Sequence, residues 1–308
     1  MRMLVVGAGA TGGFFGGRLA QAGRDVTFLV RARRAAELDE HGLRILSPNG
    51  DVTLKPKLVS SRDVGGPYDV VLLTVKAYAL DAALEDLAPA VGANTCIVPV
   101  LNGMRHMERL VARFGKRAVA GGAAKVAATL NETGAVVQLS PLQDIAYGEM
   151  DGSSSPRMQA LDRFMQGAGF DARLSTHMAL EMWEKWALLA TLGGVTCLMR
   201  GNVGEIAAAA GGEAFLTRFF EEVTSVIGAV GIPVSEGCKA FARGAFAVKG
   251  STLTSSMYRD LQNGQPVEAD SIIGDLLERG GAAGISTPLL AAACAHLSVY
   301  QRRLQSAV

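Results

Sequence analysis

Met3-Leu-Val-Val-Gly7-Ala-Gly9-Ala-Thr-Gly12 decides the fold: an apolar strand runs directly into a glycine turn that opens a helix. Each glycine has its own physical task. Gly7 lets the chain turn tightly out of the strand, Gly9 lets backbone N–H groups approach a pyrophosphate, and Gly12 lets the helix pack closely on the sheet. The positive end of that helix then faces the phosphates. A glycine pattern alone is weak evidence. Here a strand precedes it, a helix is expected over residues 13–22, and a second strand over 25–30. In that context the stretch reads as a dinucleotide site, with Gly7, Ala8, Gly9, Ala10, Thr11 and Gly12 as the candidate cofactor-binding residues.

The chain has 308 residues, 49% hydrophobic and 19% charged, which suggests two globular domains. Thirty Lys and Arg face 29 Asp and Glu with no long run of one sign, which argues against nucleic acid or a membrane surface as partner. The apolar run over residues 3–13 is short and glycine-rich, so it reads as neither a signal peptide nor a membrane span. Cys96, Cys197, Cys238 and Cys294 are widely spaced, the pattern of buried thiols in a reducing cytoplasm, not of a disulfide framework. His41, His106, His177 and His296 form no ligand set, so no metal is implied. The expected compartment is the cytoplasm.

The first half alternates strands and helices. A helix is expected over 33–41, then a hairpin of 43–46 and 52–54 turning at Pro48-Asn-Gly50. Asp69-Val-Val-Leu-Leu-Thr74 and Thr95-Cys-Ile-Val98 read as buried parallel strands. Residues 118–147 are strand-rich, with 136–139 and 145–147 as antiparallel pieces, and a last strand is expected near 172–174. After Ser175 helical periodicity dominates, with weak points at Gly193-Gly194, Gly201, Gly211-Gly212, Gly231-Ile-Pro233 and Gly284-Ile-Ser-Thr-Pro288. The expected architecture is α/β: a Rossmann-type doubly wound domain over 1–175, then an all-helical domain over 176–308. A substrate is expected in the cleft between them. Helical surfaces of the second half are also a candidate homodimer seam, which periodicity does not distinguish from an internal core.

The second strand selects the cofactor. An NAD site usually places Asp or Glu at the end of that strand to hold the ribose 2′-OH. Here Val26-Thr-Phe-Leu-Val30 ends in Arg31-Ala-Arg33-Arg34, and Asp25 precedes the strand. A carboxylate would repel a 2′-phosphate; Arg31 would bind it. The alternative is that these arginines only decorate a helix start, an unfavourable place for cations. The expected cofactor is NADP(H).

The glycine turn, Arg31, Thr74-Val-Lys76, Leu101-Asn102-Gly103-Met104, Lys185 in Trp183-Glu-Lys-Trp186, and Ser255-Ser256-Met257 ahead of Glu268 together resemble the ketopantoate reductases, over essentially the whole chain. The resemblance implies NADPH-dependent reduction of a small-molecule 2-oxo acid, with ketopantoate to pantoate first in line. It singles out Lys185 as general acid: an ammonium can polarise a carbonyl and donate a proton, and desolvation between Trp183 and Trp186 would lower its pKa towards neutrality. By resemblance Ser256 hydrogen-bonds the substrate carboxylate, while Glu268 binds a substrate hydroxyl and fixes Lys185. Asn102 and Lys76 follow parallel strands at the carboxyl edge, where ligands bind in open α/β folds. Asn102 would orient Lys185 or the nicotinamide ribose, and Lys76 would reach cofactor or substrate.

Taken alone, each of these residues has a plainer reading. Lys185 reads as a snorkelling surface residue, Asn102 as a turn residue and Lys76 as a solvated loop lysine. Ser256 reads as a helix N-cap, and Glu268 as a charge favoured at the start of a helix over 269–279. The chain also departs from the family: Leu189, Gly193, Val203 and Leu253 stand where ketopantoate reductases typically carry asparagines around the substrate. Losing those polar groups weakens selection for a hydroxylated substrate. Two alternatives follow: a same-fold reductase for a different, less polar 2-oxo acid or ketone, and an NADPH-binding redox sensor without chemistry.

Overall fold

A computed structural model describes residues 1–306. Its elements run β1 (Arg2–Val6), α1 (Ala10–Gln21), β2 (Asp25–Leu29), α2 (Ala32–His41), β3 (Leu43–Leu46), β4 (Val52–Leu54), β5 (Lys57–Val59) and β6 (Val70–Leu73). Then come α3 (Leu80–Leu87), β7 (Cys96–Pro99), α4 (Arg105–Phe114), β8 (Gly121–Leu130), β9 (Val136–Gly148), α5 (Pro156–Met165) and β10 (Asp171–Leu174). The rest is helical: α6 (Met178–Met199), α7 (Val203–Ala208), α8 (Gly212–Val230), α9 (Glu236–Phe246), α10 (Ser256–Gln262), a π-helical turn (Asp270–Gly274), α11 (Asp275–Ala282) and α12 (Pro288–Ser306). The chain forms two compact units: residues 1–101 with 106–179, and 102–105 with 180–308. The short segment 102–105 thus packs with the helical unit, although a division at one point of the chain would give it to the first.

In the first unit all neighbours of the sheet β5-β2-β1-β6-β7 are parallel. Its central strands are continuous apolar runs because both faces are covered: every residue of β6 and β7 is buried. A second sheet, β10-β9-β3-β4 with β8 paired to β9, takes up the 43–54 hairpin. Helix α1 fits between the two sheets because it is lined with glycine. A Cβ on Gly16 would stand 2.7 Å from Phe28, and one on Gly17 would stand 2.8 Å from Ile45.

Local pattern mistook several elements. Residues 136–148 are one long strand with a register irregularity against β8 between Val126 and Ala128, not two pieces. Strand β5 went unread because it is an edge strand only three residues long. Helix α6 runs straight through Gly193-Gly194, where a break is expected from sequence. The reason is packing: a Cβ on Gly194 would meet the Phe219 ring at 2.2 Å, and one on Gly193 the Met257 methyl at 2.6 Å. These glycines make room for neighbours instead of ending the helix. All four cysteines are free, and burial pushes the thiols of Cys96 and Cys197 up to about 12. No described helix is long and apolar enough to cross a membrane, and the described residues hold no cluster of three or more potential metal ligands.

Candidate functional site

In the first unit the strand–turn–helix passage creates a cradle. Gly7 has φ +94°, which closes the turn out of β1. Gly12 permits close packing of α1: a Cβ there would lie 2.0 Å from the Gly7 carbonyl oxygen and 2.2 Å from Thr74 Oγ1. Gly9 is different. Its φ of −78° suits any residue, and an added Cβ would meet no protein atom within 4 Å. The fold does not require glycine there, whereas a ligand lying against the backbone would. Gly9 is also the N-cap of α1, with no side-chain cap and no acidic residue in the first turn. Uncapped N–H groups at a positive helix end fit a pyrophosphate.

The carbonyls of the turn are held away from that face. Thr74 Oγ1 donates towards the carbonyl oxygens of Val6 and Gly7, at 2.8 and 2.9 Å. Arg34 Nε donates to the Ala8 carbonyl at 2.9 Å, and its Nη1 to Gly134 at 2.9 Å. Neither Thr74 nor Arg34 is singled out by sequence; only Thr74, in the motif that ends β6, carried a local signal. Arg33 and Arg34 both pair with Glu37. Arg31, the N-cap of α2, is exposed and makes no ion pair among the described residues. Of the three arginines it is the one with no carboxylate within ion-pair distance among the described residues; Arg33, though 94% exposed, and Arg34 both face Glu37. Lys76 is exposed and caps the short 3₁₀ turn Ala77–Ala79.

The second unit gathers the other candidates. Asn102 Nδ2 donates to Glu268 Oε2 at 3.3 Å. Glu268 is only 6% exposed, so it is a buried, hydrogen-bonded carboxylate and not a solvated charge decorating a helix start. Next to Asn102, Gly103 (φ +81°) lies so near Ser271 that a Cβ would stand 2.3 Å from the Ser271 carbonyl oxygen. Ser256 is not the cap of α10. Ser255 is: its hydroxyl accepts from the Tyr258 N–H at 2.9 Å and lies 3.0 Å from Thr196 Oγ1. The Ser256 hydroxyl is therefore left for other work.

Lys185 lies half-buried on α6, but the two tryptophans do not sandwich it. Their rings stack on each other with centroids 5.4 Å apart, and both are buried. Residues three apart share a helix face, and the two between them, Glu184 and Lys185, point elsewhere. Trp186 Nε1 donates to the Ile272 carbonyl at 3.0 Å, tying the Lys185 turn to the π-helical turn that follows Glu268. Two of the positions that lack the expected asparagines also meet: the Val203 N–H donates to the Leu253 carbonyl at 3.0 Å.

Comparison with known proteins agrees over nearly the whole length. The family model "Ketopantoate reductase PanE/ApbA" matches residues 3–152, and "Ketopantoate reductase PanE/ApbA C terminal" matches 177–301. An uncharacterized oxidoreductase, YkpB of Bacillus subtilis, is 34% identical over 98% of this chain and 99% of its own. A 2-dehydropantoate 2-reductase of Mesorhizobium japonicum is 27% identical over 96% of each. The crystal structure of 2-dehydropantoate 2-reductase from Geobacter metallireducens superposes with a TM-score of 0.86 at 28% identity, covering 97% of this chain and 99% of that one.

Proposed function

The chain belongs to the ketopantoate reductase PanE/ApbA family, NADP-dependent oxidoreductases acting on CH–OH groups, and on that premise we propose that it reduces 2-dehydropantoate to pantoate with Lys185 as general acid. The observation that carries this reading is the Asn102–Glu268 hydrogen bond, which joins a half-buried amide to a buried carboxylate in the same unit as Lys185 and Ser256. A buried carboxylate is costly and is kept where it holds something in place.

When bound, NADPH would supply a hydride for the carbonyl carbon, and the chain provides the rest. Backbone N–H groups of residues 9–12 would hold the pyrophosphate, and Arg31 the 2′-phosphate. Lys185 Nζ polarises the carbonyl oxygen and gives it a proton as the alkoxide forms, so that C=O becomes CH–OH. Ser256 Oγ donates to the substrate carboxylate. Glu268 accepts from the substrate hydroxyl and orients Lys185, and Asn102 orients Glu268 in turn. Lys76, exposed just after β6, would reach cofactor or substrate.

A second reading keeps this chemistry but changes the substrate to a less polar 2-oxo acid. It is favoured by Leu189 one turn after Lys185, by the Val203–Leu253 contact, and by the Met257 methyl that fills the place of a side chain at Gly193. Following NADPH absorbance with a panel of 2-oxo acids decides between them. Fastest turnover of ketopantoate supports the first, and faster turnover of an alkyl or aromatic 2-oxo acid supports the second. NADPH binding with silence towards every acid removes both.

A further inference from the structure

The catalytic reading leaves a charge cluster around one buried aspartate of the helical unit unused. Asp275, at the start of α11, is 1% exposed, and its Oδ1 receives two arginines. Arg105 donates through Nε at 3.2 Å and Nη2 at 3.1 Å, and Arg279 donates through Nε at 3.0 Å. Arg105 also pairs with Glu278. The other oxygen, Oδ2, is buried with no hydrogen-bond partner among the described residues. A buried carboxylate with an orphaned oxygen is a poor source of stability, because its desolvation offsets much of the attraction to its arginines. A cluster of this kind is better explained by what it holds in place.

It holds two arms. Arg105 is three residues beyond Asn102, and the segment between lies along the helix that follows Glu268 at three successive points: Asn102 on Glu268, Gly103 on Ser271, and Arg105 on Asp275. Glu268 and Asp275 flank the π-helical turn, and both meet the 102–105 segment, because Asn102 bonds one and Arg105 the other. The other arm is Arg279. Its guanidinium lies 5.8 Å from the Trp186 ring centroid, and Trp186 is the neighbour of Lys185 and is bonded to Ile272. One carboxylate thus stands where the supports of Asn102, Glu268 and Lys185 converge.

We propose that Asp275 is a positioning residue: through Arg105 it sets the Asn102 amide against Glu268, and through Arg279 and Trp186 it sets the turn that bears Lys185. The role rests on the functional reading above, since it matters only if those three residues act together. Arginine suits both arms, because its planar fork fixes direction as well as distance. Lysine at 105 would keep the charge and lose the geometry.

The test compares full-length Asp275→Asn, Arg105→Lys and Arg105→Met proteins with wild type on whichever 2-oxo acid wild type reduces. The expected result for Asp275→Asn and Arg105→Met is a kcat lower by about 100-fold, the cost of an ångström-scale misplacement. NADPH affinity, read by fluorescence, should stay unchanged, and backbone amides 102–104 should exchange hydrogen faster. Arg105→Lys should recover part of the loss. A purely structural staple would lower Tm and leave kcat per NADPH-binding site intact, and that outcome overturns the proposal. Should Asp275→Asn fail to fold, the two Arg105 variants carry the same comparison. Silence of wild type towards every 2-oxo acid overturns the functional reading and this role with it. Active wild type with unaffected variants overturns the role alone.

Discussion

Asn102 donates its amide hydrogen to Glu268 across 3.3 Å, joining residues 166 positions apart in the chain. Replacing the amide by a carboxylate removes the donor and sets one acceptor against another. Asn102→Asp is therefore expected to lose at least about tenfold in kcat, measured by steady-state turnover of NADPH with whichever 2-oxo acid wild type reduces. A wild-type rate would remove the pair from the working site.

Lys185→Ala removes the proposed proton donor and nothing from the glycine turn. Its kcat should fall by about 10²–10⁴-fold, the usual worth of a positioned acid. The Kd for NADPH, measured by fluorescence titration, should stay within about twofold of wild type, far less than the 1.4 kcal/mol that a tenfold change represents.

Gly9 and Gly12 separate folding from binding. Gly12→Ala drives a methyl into the Gly7 carbonyl and Thr74, which should cost about 3 kcal/mol of stability. Gly9→Ala meets open space and an ordinary φ, so its Tm should match wild type while NADPH affinity drops. Equal NADPH affinity in Gly9→Ala would show that the cradle holds no phosphate.

Arg31→Ala should erase the preference for NADPH over NADH. The expected loss is about 10–100-fold in kcat/KM for NADPH, in line with about 1.5–3 kcal/mol for a charge-assisted hydrogen bond. Values for NADH should barely move. Arg33→Ala, at a side chain already paired with Glu37, should leave the ratio intact.

Glu149 links stability to pH. Hydrogen bonds from Arg157, at 2.7 and 2.6 Å, hold its carboxyl below the usual carboxylate range, against burial, which pushes it up. A depressed folded value means the stabilisation is fully present above the unfolded glutamate's range and is lost as pH falls through the folded value. Tm measured against pH should therefore drop less steeply below that range in Glu149→Gln than in wild type, from a lower plateau at neutral pH.

Much of the molecule could be read from local pattern. The β1 strand, its glycine turn and α1 are contiguous, and the period of apolar residues reports burial directly. Short elements and breaks were harder. Gly193-Gly194 reads as a stop only if nothing is known of Phe219 and Met257, which fill the space beside them. Trp183 and Trp186 look like walls around Lys185 in a line of text, but a helix stacks the two rings on one face and turns Glu184 and Lys185 away from it.

The strand–turn–helix cradle, the parallel α/β domain with helices after it, and the set of residue types that marks the family are all legible along the chain. Those are properties of neighbours along the chain, where spacing and chemistry are visible together. Packing alone fixes that Ser255 caps α10 and leaves Ser256 uncommitted, that Arg34 supports the glycine turn while Arg31 stays exposed, and that Asn102 meets Glu268 beside the Asp275 cluster. Each of those depends on side-chain direction and on contacts across long stretches of chain, which packing sets and periodicity does not encode.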